Sequence, residues 1–343
     1  MKRLFSPAGG VLAGLLLGLP NGLDVFTAAS AHAQNTPAGE RRAIRSDEFT
    51  AADKARLYDE AAHAARLAAI DSLKQLIKDT DPEMAGDRYP EMLLRLSDLY
   101  FEEGRYLYLN EMDVDSVNRE RCFNTPGCTI DSIVTDNTKS REWQERSIKL
   151  NKRILDNYPT YSRADDATFY LAMALNDTGK PDEANAEFAR LVRTYTDSEF
   201  VPEAYVQIGE YWFERNQAYK ALTAYQRAAA FKEHSKYAFA NYKLAWCYFN
   251  VGEPDKAIET MKSVVIYSMA NTGTPGSVQL TDEALKDLVR FFADSGNIEE
   301  AIAWFEKLGK KDLIRDTLKR LAGTYIEQGK FELAIQTYRR LIS

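Results

Sequence analysis

Five stretches of this sequence share one layout, and Asp165–Gly179 shows it as DDATFYLAMALNDTG followed by KPDEANAEFARLV. The layout returns at Pro202–Asn216, Ala238–Gly252, Asp282–Gly296 and Arg315–Gly329, with starting points 37, 36, 44 and 33 residues apart. Each copy has an apolar stripe, a Gly or Asn, and then a second apolar stripe. Because apolar residues recur at i, i+3, i+4 and i+7, each stripe predicts one face of a helix.

Numbered from its first residue, each unit keeps a few positions nearly constant. Position 8 is small in four units, position 20 is always Ala, and position 24 is large and apolar. The residues are, at position 8, Ala172, Gly209, Ala245 and Ala322; at position 20, Ala184, Ala221, Ala257, Ala301 and Ala334; and at position 24, Phe188, Tyr225, Met261, Phe305 and Tyr338. Glycine at position 15 can end the first helix in a left-handed cap, and Pro181 and Pro254 suit the first turn of the second.

This pattern resembles the tetratricopeptide repeat, which has a small residue at 8, Ala at 20 and an aromatic at 24. The resemblance implies an all-α fold, an α-solenoid of stacked antiparallel helix pairs wound into a right-handed superhelix. A divergent sixth unit starts at Pro90–Gly104, so the array spans 90–343 in about six units, with an insertion at 105–141 in the first. An unrelated helical bundle is the alternative.

The segments before the array have different compositions. Residues 1–33 combine Lys2 and Arg3, a nine-residue apolar run and Ala31-His32-Ala33, the pattern of a secretory signal peptide. An uncleaved membrane anchor is the alternative. Residues 34–48 are expected to form a flexible leader, and residues 49–80 an amphipathic helix. No Cys follows the expected cleavage point, so we expect an exported protein of the bacterial periplasm, soluble, without a lipid anchor or a transmembrane segment after signal removal.

Composition and motifs disfavour several functional classes. The 343 residues carry a net charge of −7, with 45% hydrophobic and 28% charged residues, as in ordinary globular proteins. The acidic balance offers no general attraction to nucleic acid. The sequence has no zinc-protease, serine-hydrolase, phosphate-loop or dinucleotide motif, and its few His and Cys lack ligand spacing. We therefore expect no enzyme activity, no metal and no cofactor.

Three cysteines are present, at 122, 128 and 247. Cys122 and Cys128 bracket a Pro-Gly pair that suits a type II turn, and export implies an oxidising compartment. A Cys122–Cys128 disulfide is our preferred interpretation, with half of a metal site as the alternative. Cys247 lies in a helix pattern and is expected to be a small buried apolar residue.

The resemblance also implies a concave groove, lined by the first helices, that binds a protein or peptide. The groove positions predict a partner-binding surface that is aromatic in the middle and basic towards the C-terminal end. Its candidate residues are Phe169, Tyr170, Met173, Glu210, Phe213, Tyr242, Lys243, Trp246, Phe249 and Arg290. For each aromatic residue, burial between repeats is the alternative to partner binding.

A narrower resemblance covers about 157–230, where Asn157-Tyr158-Pro159 precedes one unit and Val201-Pro202-Glu203-Ala204 opens the next. It is similar to envelope repeat proteins such as the lipoprotein of outer-membrane β-barrel assembly and the periplasmic partner of the Tol–Pal system. We therefore expect a scaffold or adaptor that binds an envelope protein in its groove. The alternative is a structural segment of a larger envelope machine, of the outer-membrane assembly, Tol–Pal or gliding-motility type. It would act through the insertion and the last helix, which no capping helix follows, either because the chain is a fragment or because a partner docks there.

Overall fold

The computed structural model describes residues 60–125, 127–129, 133, 136–271, 273, 277–309 and 311–342. The predicted signal peptide (1–33), the leader (34–48) and the start of the N-terminal helix (49–59) lie outside these residues. The described residues form helices and no strands, as the repeat pattern predicts. None of their helices is long and apolar enough to cross a membrane.

The described residues fall into two compact units, 60–207 and 208–342, here called the N-terminal and C-terminal units. The helices up to residue 194 are α1 (Glu60–Asp79), α2 (Pro82–Ala85), α3 (Arg88–Phe123), α4 (Thr138–Asn157), α5 (Ala164–Asp177) and α6 (Pro181–Thr194). The boundary falls within α7 (Val201–Glu214). The remaining helices are α8 (Ala218–Ala228), α9 (Tyr237–Asn250), α10 (Pro254–Ala270), α11 (Ser277–Ser295), α12 (Ile298–Lys307), α13 (Lys311–Glu327) and α14 (Phe331–Ile342).

A residue in the left-handed backbone conformation separates the two helices of each of the five repeats, as the sequence predicts. The residue at position 15 has a positive φ in all five copies: Gly179, Asn216, Gly252, Gly296 and Gly329. After four of these residues, the next backbone N–H donates to the carbonyl of position 11, for example Lys180 to Leu175 at 2.9 Å. This bond satisfies a carbonyl that the helix end would leave open, so the hairpin turns at a defined point.

Packing within a repeat follows from the small residue at position 8. A Cβ added to Gly209 would lie 2.5 Å from the ring of Tyr225, the position-24 residue of the same repeat. All five position-20 alanines are buried as well. Small side chains therefore let the two helices approach until a large side chain fills the space between them.

Second helices then pack on the first helix of the following repeat, as α4 does on α5, α8 on α9, α10 on α11 and α12 on α13. In the C-terminal unit this stacking buries a continuous apolar core around Met261, Leu288, Phe292, Phe305 and Tyr325. Consecutive helix pairs thus cover each other's apolar faces, as expected for an all-α repeat fold.

The first repeat departs from this pattern at Gly104. This glycine, at position 15, keeps a negative φ, and α3 continues past it to Phe123. Residues 105–123 contain no Gly or Pro that would stop a helix. A Cβ at Gly104 would lie 2.8 Å from the Gln144 amide nitrogen, so this glycine serves a close approach of α4. Much of the predicted insertion at 105–141 is therefore a helix extension.

The extension ends at the two cysteines. Cys122 in the last turn of α3 and Cys128 beyond the helix are joined as a disulfide, with their Cα atoms 5.3 Å apart. The backbone turns there through the Thr125 N–H, which donates to the Cys122 carbonyl at 3.0 Å. The disulfide therefore closes a small ring at the C-terminal end of α3.

The described part of the predicted N-terminal helix packs on the first repeat. Ile70 of α1 is buried against Leu96, Leu99 and Tyr100 of α3. Glu103 is buried in this interface, where it accepts from Arg66 at 2.9 Å and lies 3.1 Å from His63 Nδ1. One face of α1 therefore covers the start of the array.

Candidate functional site

The predicted groove residues of the N-terminal unit belong mainly to its core. Phe169 and Met173 are buried, and Phe169 stacks on Phe200 with ring centroids 4.4 Å apart. Tyr170 is partly buried and packs edge-on against Phe200. The sequence placed these residues on the correct helix, but helix position alone does not show that Phe200 covers them.

Tyr170 keeps a polar environment at its exposed edge. Burial raises the pKa of its phenol, and the nearby carboxylates of Asp98 and Asp166 raise it further. Asp98 is itself largely buried, and one of its carboxylate oxygens has no hydrogen-bond partner. Desolvation raises the pKa of Asp98 to about 7, against an ordinary value near 4. The tyrosine therefore stays protonated beside an acid that titrates near neutral pH.

In the C-terminal unit, Glu210 and Lys243 form a buried ion pair rather than a binding surface. Lys243 Nζ lies 3.0 Å from Glu210 Oε2, and Tyr225 donates a hydrogen bond to the other carboxylate oxygen. The ammonium also lies 4.9 Å from the centre of the Phe213 ring. Because both charges are desolvated, removal of either would leave the other buried without its main partner. Both residues therefore fix the packing of α7 against α9.

Tyr242 and Trp246, the predicted anchors, are tied to one carboxylate that the sequence analysis did not select. The Tyr242 hydroxyl donates to Asp287 Oδ2 at 2.5 Å, and Trp246 Nε1 donates to the same oxygen at 2.9 Å. Burial raises the pKa of Asp287 to about 6, the two donors lower it, and Glu283 raises it. Tyr242 is buried, so Trp246 alone of this pair reaches the surface.

Asp287 occupies position 6 of its repeat, which is one of the groove positions. Glu283 and Asp294 are acidic residues at other groove positions of the same helix, so the sequence contained no signal that distinguished Asp287 from them.

An accessible surface remains around Trp246, which we call the aromatic patch: Trp246, Phe249 and Arg290. Trp246 and Phe249 are partly buried, and Phe249 stacks on Phe291 at 4.5 Å. The exposed Arg290 guanidinium lies 5.2 Å from the Trp246 ring centre, a cation–π distance. Of the ten predicted groove residues, these three are joined into one surface, while the partly buried Phe213 on α7 lies beside the Lys243 ammonium.

Cys247 lies on the other side of the same helix. It is fully buried, as predicted, and its pKa is raised to about 12, first by burial and then by Glu210, while Lys243 lowers it. The thiol is therefore neutral at ordinary pH and shielded from reagents.

The described residues provide no apparent centre for chemistry on a metal. Within them, no group of three or more His, Cys, Asp or Glu side chains is placed to hold a metal ion. The aromatic patch offers ring faces, one cation and a shielded carboxyl group. Such a set suits recognition of a side chain or a peptide segment.

Comparison with known proteins identifies the repeats. One family model described as tetratricopeptide repeat matches residues 166–198 and 239–266, and a second matches residues 317–343. None of the curated proteins matches the sequence.

Several solved structures are similar at low identity. The crystal structure of MamA protein is 23% identical, covers 57% of this chain and 91% of that chain, and has a TM-score of 0.39. The apo form of RapI is 13% identical, with coverages of 84% and 92% and a TM-score of 0.43. A Rap protein complexed with competence and sporulation factor is 18% identical, with coverages of 84% and 72% and a TM-score of 0.35. Similarity at this level carries no argument about function, whereas the family models identify tetratricopeptide repeats in this chain at 166–198, 239–266 and 317–343.

Proposed function

We propose that this protein is a non-catalytic scaffold or adaptor that binds a protein or peptide partner through the aromatic patch. Tetratricopeptide repeats are typical of protein–protein interaction, and their first helices commonly supply the binding surface. The observation that carries the proposal is the accessible Trp246 ring, held by its bond to Asp287 and covered on one side by Arg290. Aromatic and arginine side chains in such a setting dominate many interfaces.

We place the protein in the bacterial periplasm, as part of a cell-envelope complex. The support is in the sequence: the basic start, short apolar run and small-x-small site of residues 1–33. The resemblance of residues 157–230 to envelope repeat proteins points to the same compartment. Outer-membrane β-barrel assembly and the Tol–Pal system are the candidate settings.

A direct test uses affinity capture from envelope extract, followed by a binding titration with the purified partner. Arg290→Glu reverses an exposed charge in the patch, and Arg227→Glu makes the same change on the second helix α8. We expect Arg290→Glu to weaken binding by about tenfold or more, and Arg227→Glu to leave it unchanged. Equal binding by both variants would exclude the patch.

Trp246→Ala is the complementary variant. It removes the main ring of the patch and should abolish capture. Because it also takes one donor from Asp287, circular dichroism and thermal melting must show that the protein remains folded. A folded Trp246→Ala protein that holds the same partner would overturn the proposal.

A second candidate function is structural, through the extension of α3. Val114, Val117 and Phe123 are exposed there, and an exposed apolar surface can mark an interaction site. Val117→Glu tests this surface without cutting the helix. Loss of the captured partner from this variant, with binding kept by Arg290→Glu, would favour the structural segment over the groove adaptor.

A further inference from the structure

Two neighbouring first helices of the N-terminal unit carry acidic side chains on adjoining sides. We call this surface the acidic face: Asp98 and Glu102 of α3 with Asp166, Tyr170 and Asp177 of α5. Spacings of four and seven residues put the members of each helix on one side. The helices meet there, since the ring centroids of Phe101 and Tyr170 lie 6.0 Å apart. Both helices lie within continuously described stretches, 60–125 and 136–271.

Two acids of this face already have a cation beside them. Arg163 pairs with Asp166 at 2.6 Å, and Arg66 of α1 lies 3.4 Å from Glu102. Asp98 lies between these pairs and forms no ion pair with any described residue. It is therefore the carboxylate of this face that can take a cation from outside the chain.

Three carboxylate oxygens of the acidic face are buried and accept no hydrogen bond. They are Oδ1 of Asp98 and both side-chain oxygens of Asp177. Burial raises the pKa of both carboxyl groups to about 7. A buried carboxylate without donors costs free energy, and groups in such a state are found preferentially at functional sites. These oxygens therefore point to a donor that a ligand supplies.

The chain itself shows what kind of group fits here. The Arg105 guanidinium lies 5.9 Å from the centre of the Phe101 ring, next to the acidic face. It also lies near Asp177, whose pKa is raised by burial and lowered by this guanidinium. A ring and a carboxylate together favour a cationic side chain. Tyr170 and Asp98 are a second such combination, and no described cation lies over the Tyr170 ring.

We propose that the acidic face binds a basic segment of a partner protein, with a lysine or arginine side chain held between Asp98 and Tyr170. The cation donates to the Asp98 carboxylate and lies against the ring, as Arg105 lies against Phe101. Within the described residues no group of acidic, His or Cys side chains is placed to hold a metal ion, so the fitting cation is one carried on a side chain. This site goes beyond the proposed function and does not use the aromatic patch.

Titration of Asp98 makes this contact depend on pH. Below pH 7 its carboxylate is increasingly protonated, whereas a lysine stays charged up to about pH 10. With a pKa of about 7, the ionised fraction of Asp98 rises about tenfold between pH 6 and pH 8. Binding should therefore tighten by about tenfold over this range. The other titratable and charged groups that face Asp98 are Arg95 and Glu102 on α3, and Arg163, Asp166 and Tyr170 at or near the start of α5.

The test is a titration of the full chain with a labelled, blocked hexapeptide of alternating lysine and alanine. Salt at about 0.15 M screens non-specific attraction to an acidic protein. Fluorescence anisotropy gives the dissociation constant at pH 6 and at pH 8. The wild type should bind about tenfold more tightly at pH 8. Asp98→Asn should weaken binding at pH 8 by about tenfold or more and remove the difference between the two pH values.

The control is Asp71→Asn, which removes the same charge from an exposed position on α1 and should bind like the wild type. Asp98→Asn removes a buried charge, so it should be at least as stable as the wild type, and thermal melting separates weaker binding from unfolding. A wild type that does not bind the peptide, or binds it equally at pH 6 and pH 8, would overturn the proposal. Equal binding by Asp98→Asn and the wild type at pH 8 would overturn it as well.

Discussion

At the scale of single residues, one side-chain atom decides how closely a helix pair packs. Gly209 leaves the space that the Tyr225 ring fills, and Tyr225 donates to the buried Glu210 from that position. Gly323 lies one position further along the first helix of the last repeat, with open space around it. The same residue type is thus required at one position and replaceable at the other.

Gly209→Ala should destabilise the protein by about 1–3 kcal/mol, because the Tyr225 ring must move out of a close-packed site. Gly323→Ala, the matched control, should be neutral or stabilising by up to about 1 kcal/mol, since alanine favours a helix and meets no atom there. Urea unfolding of both variants measures the difference. Equal stability would contradict the assigned contact between Gly209 and Tyr225.

Asp98 predicts a pH dependence of stability. Its pKa is raised to about 7 in the folded state by burial, so the folded protein holds this proton more tightly than the unfolded chain. The stability that protonated Asp98 contributes to the folded state is therefore lost as pH rises from about 4 to about 7. Asp98→Asn should raise the free energy of unfolding by roughly 1–3 kcal/mol at pH 8, with a smaller gain at pH 5.

The control for this prediction is Asp71→Asn, which changes an exposed carboxylate on α1. It should show no comparable pH-dependent gain. A gain for Asp98→Asn that is equal at pH 5 and pH 8 would exclude titration of Asp98 as its cause.

At the scale of elements, the extension of α3 is the feature that distinguishes the first repeat. A helix that should turn at Gly104 runs on for almost twenty residues and ends in a disulfide ring. The closed ring contains few residues, so its effect on the unfolded chain is small and local.

Replacing Cys122 and Cys128 together by alanine should therefore cost at most about 2 kcal/mol. Hydrogen exchange should quicken in the last turns of α3 and stay unchanged in α4 and α5. Mass spectrometry of exchanged peptides resolves these regions. Faster exchange throughout the repeats would show instead that the ring stabilises the whole fold.

At the scale of the whole molecule, the sequence predicted the repeats because the turns depend on a few local residues. Gly179 and Asn216, for example, adopt the positive φ that ends the first helix of their repeats. The glycine at position 15 did not by itself show that α3 would pass Gly104, because this glycine makes room for Gln144 of another helix instead of ending its own. Local signals thus define the helices, while contacts between helices decide their exceptions.

The candidate site was less predictable for the same reason. Position in the repeat put Phe169, Tyr242 and Trp246 on the first helices, but it did not show which of them a neighbouring helix covers. Phe200 covers Phe169, and Asp287 draws Tyr242 inward while Trp246 stays accessible. Whether a side chain on a repeat surface belongs to the core depends on the residue that faces it.

The buried Cys247 can report how often the helices around it separate. A thiol reagent cannot reach a neutral sulfur that is enclosed between α7, α8 and α9, so modification has to wait for the helices to separate. With the other two cysteines held in their ring, a pulse of reagent would add a single mass to each molecule in which α9 has separated from α7 and α8. The rate of Cys247 modification therefore measures the rate of local opening at this site, without any engineered probe.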